Sequence, residues 1–128
     1  MEIVTQNATS LAWVGDAIMS LRVREHLLEL GFQNANKLQK KSIQYCSARG
    51  QAKILDQMMA QDFFTEDELE ILARGRNATV HTKAKNADGQ TYMKATALEA
   101  MLGYLHLYKH AERLEVCLER IIELGDTL

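Results

Sequence analysis

The chain has 128 residues, 47% of them apolar and 25% charged, with a net charge of −2 at neutral pH and no proline. That is one domain with enough apolar material for a core. The net charge alone argues for no polyanionic partner. The longest uncharged runs, such as Ile3 to Gly15 and Ala100 to Tyr108, are too short for a membrane span, and the N-terminus has no secretory-signal pattern. Cys46 and Cys117 are isolated thiols, read as free cysteines of a reducing compartment, so the expected location is cytoplasmic.

Apolar spacing is helical nearly throughout, which predicts an all-α bundle. The first helix is expected from Thr9 or Ser10 to Leu30, with Ser10 as N-cap, Gly31 as stop and an apolar face of Leu11, Val14, Ile18, Leu21 and Leu28. A second helical stretch runs from Asn34 or Asn36 to about Ala60. Gly50 inside it predicts a kink or two abutting helices. Thr65 followed by Glu68 is a capping box opening a short helix through Ala73. Residues 75–89 are polar, basic and non-periodic, and read as a long functional loop. A helix from about Thr91 to Tyr108 follows, then a last one from about Ala111 to Leu124, stopped by Gly125. Trp13, Tyr92, Tyr104 and Tyr108 fall at core spacing and read as packing.

The charges are segregated. Five of the fifteen basic residues lie in 37–53 (Lys37, Lys40, Lys41, Arg49, Lys53), and five more in 74–94 (Arg74, Arg76, Lys83, Lys85, Lys94). The 62–70 stretch holds Asp62, Glu66, Asp67, Glu68 and Glu70 without a base. Such a pattern either solvates helix faces or puts a positive face on a weakly acidic protein, where phosphate backbones bind.

Two carboxylates stand out by context. Asp16 sits mid-helix in LAWVGDAIM, and Glu99 in ATALEAMLG. An acid among apolar neighbours needs a partner, either an arginine or helix N-terminus in a structural role or a metal in a functional one. Helical bundles build metal sites from facing side chains. Two carboxylates suit Mg²⁺, which takes oxygen ligands and keeps several waters. The basic loop offers Arg74, Arg76, Lys83 and Lys85 to grip phosphates, with Asn77 and Asn86 for 2′-hydroxyls. His81 is a surface histidine by default, and His106 belongs to the core or the surroundings of Glu99. Zinc-spaced cysteines, H-E-x-x-H, phosphate-cradling glycine loops and serine-elbow motifs are absent from the sequence.

LAWVGDAIM (Leu11 to Met19) resembles the signature helix of the ribonuclease III family, and TALEAMLGYL (Thr96 to Leu105) resembles its second catalytic helix. They come in the right order with a basic GRN loop between, and roughly residues 6–124 resemble the short Mini-ribonuclease III branch. The resemblance implies an all-α ribonuclease III endonuclease fold, a single catalytic domain over 1–128 without a double-stranded RNA-binding domain, and a homodimer. It implies Mg²⁺-dependent cleavage of double-stranded RNA, leaving 5′-phosphate and 3′-hydroxyl ends. It further implies a role in maturing 23S ribosomal RNA ends, with a ribosomal protein as a possible aid to specificity. By this carry-over Asp16 and Glu99 are the catalytic, metal-holding residues. The pattern departs where the family's further acids are expected: Thr9, Ala12 and Thr96 stand there. The alternatives are a catalytically inactive RNA-binding or ribosome-associated module of this fold, and a structural bundle that dimerises.

Overall fold

The computed structural model describes residues 7–78 and 87–128. Among the described residues there are six helices and no strand: α1 (Ala8–Glu29), α2 (Ala35–Cys46), α3 (Ala48–Ala60), α4 (Glu66–Ala78), α5 (Ala87–Leu107) and α6 (Ala111–Asp126). The all-α expectation holds. None of these helices is long and apolar enough to cross a membrane.

Helix α5 is the centre of the bundle and packs against α1, α3, α4 and α6. Its run from Ala95 to Leu105 is buried almost all round, with Ala97, Leu98, Ala100, Met101 and Leu102 fully enclosed. A helix apolar on every side belongs inside a bundle, and this one sits there.

Helix α1 begins at Ala8, one or two residues earlier than expected. Asn7, not Ser10, is the N-cap, its side chain accepting from the Ser10 N–H at 2.8 Å. It ends as expected at Gly31. That residue takes φ 97°, and the N–H groups of Gly31 and Phe32 return to the carbonyls of Leu28 and Leu27. The buried face differs from the expected one: Leu11, Gly15, Met19, Val23 and Leu27 turn inward, while Leu21 and Leu28 are exposed.

The second stretch is two abutting helices, but the break is at Ser47. Its Oγ caps α3 by accepting from the Gly50 N–H at 3.0 Å. Gly50 has a different task. A Cβ there would lie 2.3 Å from the Gln44 carbonyl oxygen, so glycine lets the start of α3 press against the end of α2. The capping box is present: Thr65 N–H donates to Glu68 Oε1 at 3.1 Å, and Glu68 N–H to Thr65 Oγ1 at 3.3 Å. Helix α4 then runs past the expected stop at Ala73, through Gly75, to Ala78. Gly75 lies within the helix, and glycine is required there because a Cβ would meet the Ala97 Cα of α5 at 2.7 Å. Helix α5 likewise starts before Thr91. The expected loop therefore loses both ends to helices, and His81, Lys83, Lys85 and Asn86 lie outside the described residues. Helix α6 also continues through Gly125, where a Cβ would strike the Tyr45 ring at 2.2 Å.

Tyr104 is core as expected, but Trp13 is 80% exposed and Tyr92 48%. His106 is exposed and so does not belong to the core. Cys46 and Cys117 are free thiols, and burial pushes them up to about 11 and about 12 respectively.

The tightest packing joins α1 and α5 at Gly15 and Gly103. Alanine would gain about 0.5–1 kcal/mol of helix propensity at position 103. Its Cβ, however, would sit 2.0 Å from the Leu11 carbonyl oxygen, a backbone atom that cannot turn aside. Overpacking of this kind costs about 1–3 kcal/mol or more, so the clash wins. Gly103→Ala is expected to lower the melting temperature by roughly 5–10 °C. An unchanged melting curve would show that the two helices can separate freely here.

Candidate active site

The α1–α5 crossing places the two sequence-predicted carboxylates. On α1, Leu11 and Gly15 are one turn apart, and on α5, so are Glu99 and Gly103. The glycines interlock with the opposite backbones: a Cβ on Gly15 would lie 1.7 Å from the Glu99 carbonyl oxygen, and one on Gly103 would lie 3.3 Å from the Gly15 nitrogen. Asp16 follows the first glycine directly. Its carboxyl group and that of Glu99 consequently come within hydrogen-bonding reach.

Both line an open cleft of about 360 Å³, together with Thr9, Ala12, Trp13, Tyr92 and Thr96. Thr9, Ala12 and Thr96 are the positions where the ribonuclease III pattern expects further acids. The structure thus gathers kept and substituted positions at one place. Asp16 is exposed on the cleft and Glu99 is half-buried, which corrects the expectation that both acids are equally enclosed.

The environment of Glu99 opposes its charge. Burial is the largest cause, and the hydrogen bond and negative charge of Asp16 add to it. A hydrogen bond from Gln51 works the other way, and the net effect pushes the carboxyl up to about 8. Among the described residues no cation figures in this balance. Gln51 is the neighbour that sequence reasoning missed. It is 3% exposed, and its Nε2 donates to Glu99 Oε2 at 3.2 Å and to the Cys46 carbonyl at 2.9 Å. Nothing in the sequence marks it, because its position depends on how the α2–α3 break meets α5.

Two carboxylates and a buried amide form an oxygen-rich set that suits a hard divalent cation retaining much of its water. Among the described residues no cluster of three or more His, Cys, Asp or Glu exists that would hold a metal by protein ligands alone. The donor set therefore fits a hydrated magnesium ion and does not fit zinc.

The sequence profile of the Ribonuclease III domain matches residues 9–110, a span that includes both carboxylates. The chain is 47% identical to Mini-ribonuclease 3 of Staphylococcus aureus, over 92% of this chain and 88% of that protein. The chain belongs to the Mini-ribonuclease 3 branch of the ribonuclease III family. Mini-ribonuclease 3 of Streptococcus pneumoniae is 46% identical over 85% of each chain. A solved crystal structure of a Fusobacterium nucleatum protein is similar with a TM-score of 0.79 at 28% identity, covering 93% of both chains. As a ribonuclease III, the protein is an endoribonuclease, of a family that acts on double-stranded RNA.

The described RNA-binding candidates fall elsewhere. Arg74, Arg76 and Asn77 lie on the last turns of α4 and none lines the cleft. Arg76 shares a groove with Asp56, Met59, Leu69 and Lys94, and Lys94 is ion-paired to Asp56 at 2.9 Å.

The raised Glu99 has a signature in stability. Between its ordinary value near 4.5 and about 8, the folded chain holds a proton that the unfolded chain has released. Stability from this group is therefore full at low pH and is lost as pH rises through that window. In the absence of divalent ions, the wild type is expected to melt progressively lower from about pH 5 to pH 8. Glu99→Gln should flatten that slope. Parallel melting profiles for the two proteins would contradict the assigned environment.

Proposed function

We propose that the chain cleaves double-stranded RNA with Mg²⁺ held by Asp16 and Glu99. The observation that carries this is their meeting in one cleft, at a crossing where two glycines let backbones touch. Asp16 and Glu99 would hold the ion, which when bound would supply water activation and neutralise charge developing on the phosphate, for cleavage to 5′-phosphate and 3′-hydroxyl ends. Asp16 offers an exposed carboxylate to the ion. Glu99 must release its proton to join it, so ion uptake is coupled to proton release. Thr9 and Thr96 keep the cleft polar, while Ala12 widens it at the place of a missing acid.

We propose further that two copies act together. Trp13, Ala17, Leu21 and Leu28 fall on one exposed face of α1, and Leu21 and Leu28 are 61% and 59% exposed. An apolar stripe of this kind supports a homodimer interface. The exposed Lys37, Lys40 and Lys41 on α2 and Arg49 and Lys53 on α3 supply cationic groups for the phosphate backbone, with Arg74, Arg76 and Asn77 at the end of α4, and Lys83 and Lys85 beyond the described residues, as further contacts. Resemblance to the Mini-ribonuclease III branch favours the 23S ribosomal RNA precursor as the natural duplex. A-form RNA is read mainly by shape, so the folded precursor or a ribosomal protein would add the site specificity, in the cytoplasm.

The decisive experiment is cleavage of a long RNA duplex in Mg²⁺ by wild type, Asp16→Asn and Glu99→Gln. The wild type should cut, and each variant should bind while cutting at least about a hundredfold more slowly. A wild type that binds duplex and leaves it intact would replace catalysis with an RNA-binding role. The dimer is checked by sedimentation: the double variant Leu21→Glu, Leu28→Glu should shift a dimeric wild type to monomer. A monomeric wild type at micromolar concentration would end that part of the proposal.

A further inference from the structure

Gln51 holds an unpartnered atom in a place where one is costly. Among the described residues, its Oε1 is the only buried side-chain nitrogen or oxygen without a hydrogen-bond partner. The amide orientation is fixed by its neighbours. Nε2 spends its two hydrogens on the Cys46 carbonyl and the Glu99 carboxylate, both acceptors. Exchanging nitrogen and oxygen would set acceptor against acceptor at the Cys46 carbonyl. Oε1 shares its carbon with the nitrogen that donates to Glu99, while Gln51 is not itself among the residues that line the cleft.

A buried polar atom left without a partner in a native fold calls for an unseen water or ion. The cleft supplies a reason for one. With Thr9, Ala12 and Thr96 at the substituted positions, a divalent ion on Asp16 and Glu99 would keep most of its waters, and these waters carry hydrogens that require acceptors. Groups that accept from metal-bound waters and orient carboxylate ligands govern ion affinity nearly as strongly as the ligands do. We infer that Gln51 is a positioning residue of this ion site, its Nε2 fixing Glu99 Oε2 and its Oε1 accepting a hydrogen bond from a water on the cation. The inference rests on the metal reading given above for Asp16 and Glu99. It adds a third, uncharged group to that site, taken from α3 and set by the Ser47 break.

The test is Mn²⁺ binding to the full chain without RNA at one fixed pH, followed by titration calorimetry, with melting in a chelator as the fold control. Gln51→Met keeps length and volume while removing donor and acceptor. It should melt within a few degrees of wild type in chelator and bind Mn²⁺ about tenfold to a hundredfold more weakly. A folded Gln51→Met with wild-type Mn²⁺ affinity overturns the inference and leaves the metal reading standing. If that variant does not fold, Gln51→Glu decides. Its extra carboxylate should lower the melting temperature in chelator and enlarge the Mn²⁺-induced rise relative to wild type. A rise equal to that of wild type overturns the inference. Asp16→Asn should abolish binding in the same assay. A wild type that takes up no Mn²⁺ removes both the metal reading and the role of Gln51 within it.

Discussion

The close contact of α1 and α5 is the constraint on which the rest depends. Gly15 lies against the backbone of Glu99 itself, and Gly103 against the backbone of Leu11. The two helices are therefore held at backbone contact one residue away from Asp16. Any side chain at either glycine would drive the axes apart, and the carboxylates would separate with them. Reactive constellations need placement to within a fraction of an ångström, and rigid helices in direct contact provide it better than loops. The same contact explains why α5 must be apolar on all sides: it is clasped by α1 on one flank and by α3, α4 and α6 on the others.

Two glutamates of this fold show how differently a buried acid can be held. Glu68 is fully buried, yet Arg113 meets both its oxygens at 2.8 and 2.9 Å, and the Thr65 N–H donates to it as well. Burial works against its charge, but Arg113 and Thr65 override it and hold the carboxyl below its usual range. It joins α4 to α6 and has nothing left to offer. Glu99 is less deeply buried and has the opposite balance. Burial, the largest cause, is left uncompensated because its neighbours are a second carboxylate and an amide, so it stands above its usual range. A site held in that state gains by taking up a cation, whereas Glu68 would gain nothing. The difference between them is the partner and not the depth of burial.

Much of this was legible in the chain because helices announce themselves. The capping box at Thr65 and Glu68, the stop at Gly31, and the motifs around Asp16 and Glu99 each correspond to a local physical requirement. What stayed hidden depends on tertiary contact. Helix α1 carries apolar residues on nearly every side, so spacing alone could not choose between the Leu11–Met19–Leu27 face and the Trp13–Leu21–Leu28 face. Gly75 and Gly125 read as breaks because glycine usually ends helices. Here Ala97 and Tyr45 occupy the space a Cβ would need, and that lies outside any local pattern. Gly50 marked a real discontinuity but not its position, since the cap that makes the break is Ser47. Gln51 carried no signal at all, being one glutamine among several until the fold sets it on Glu99.

The location of Asp16 on its helix joins the two halves of the functional reading. Going round α1, the buried face carries Ala12 and Gly15, the exposed apolar stripe carries Trp13 and Ala17, and Asp16 falls at the border between them. The cleft therefore opens where core packing ends and the proposed interface begins, with Trp13 on its rim. A second copy seated on the stripe would not cover a remote face. It would stand beside the cleft and bring its own Asp16 and Glu99 into the same neighbourhood. Under that arrangement a duplex lying along the joined surface meets two sites, one for each strand, and association becomes a condition of cutting both. Trp13, 80% exposed on the single chain, is the side chain that a second copy on this stripe would cover first.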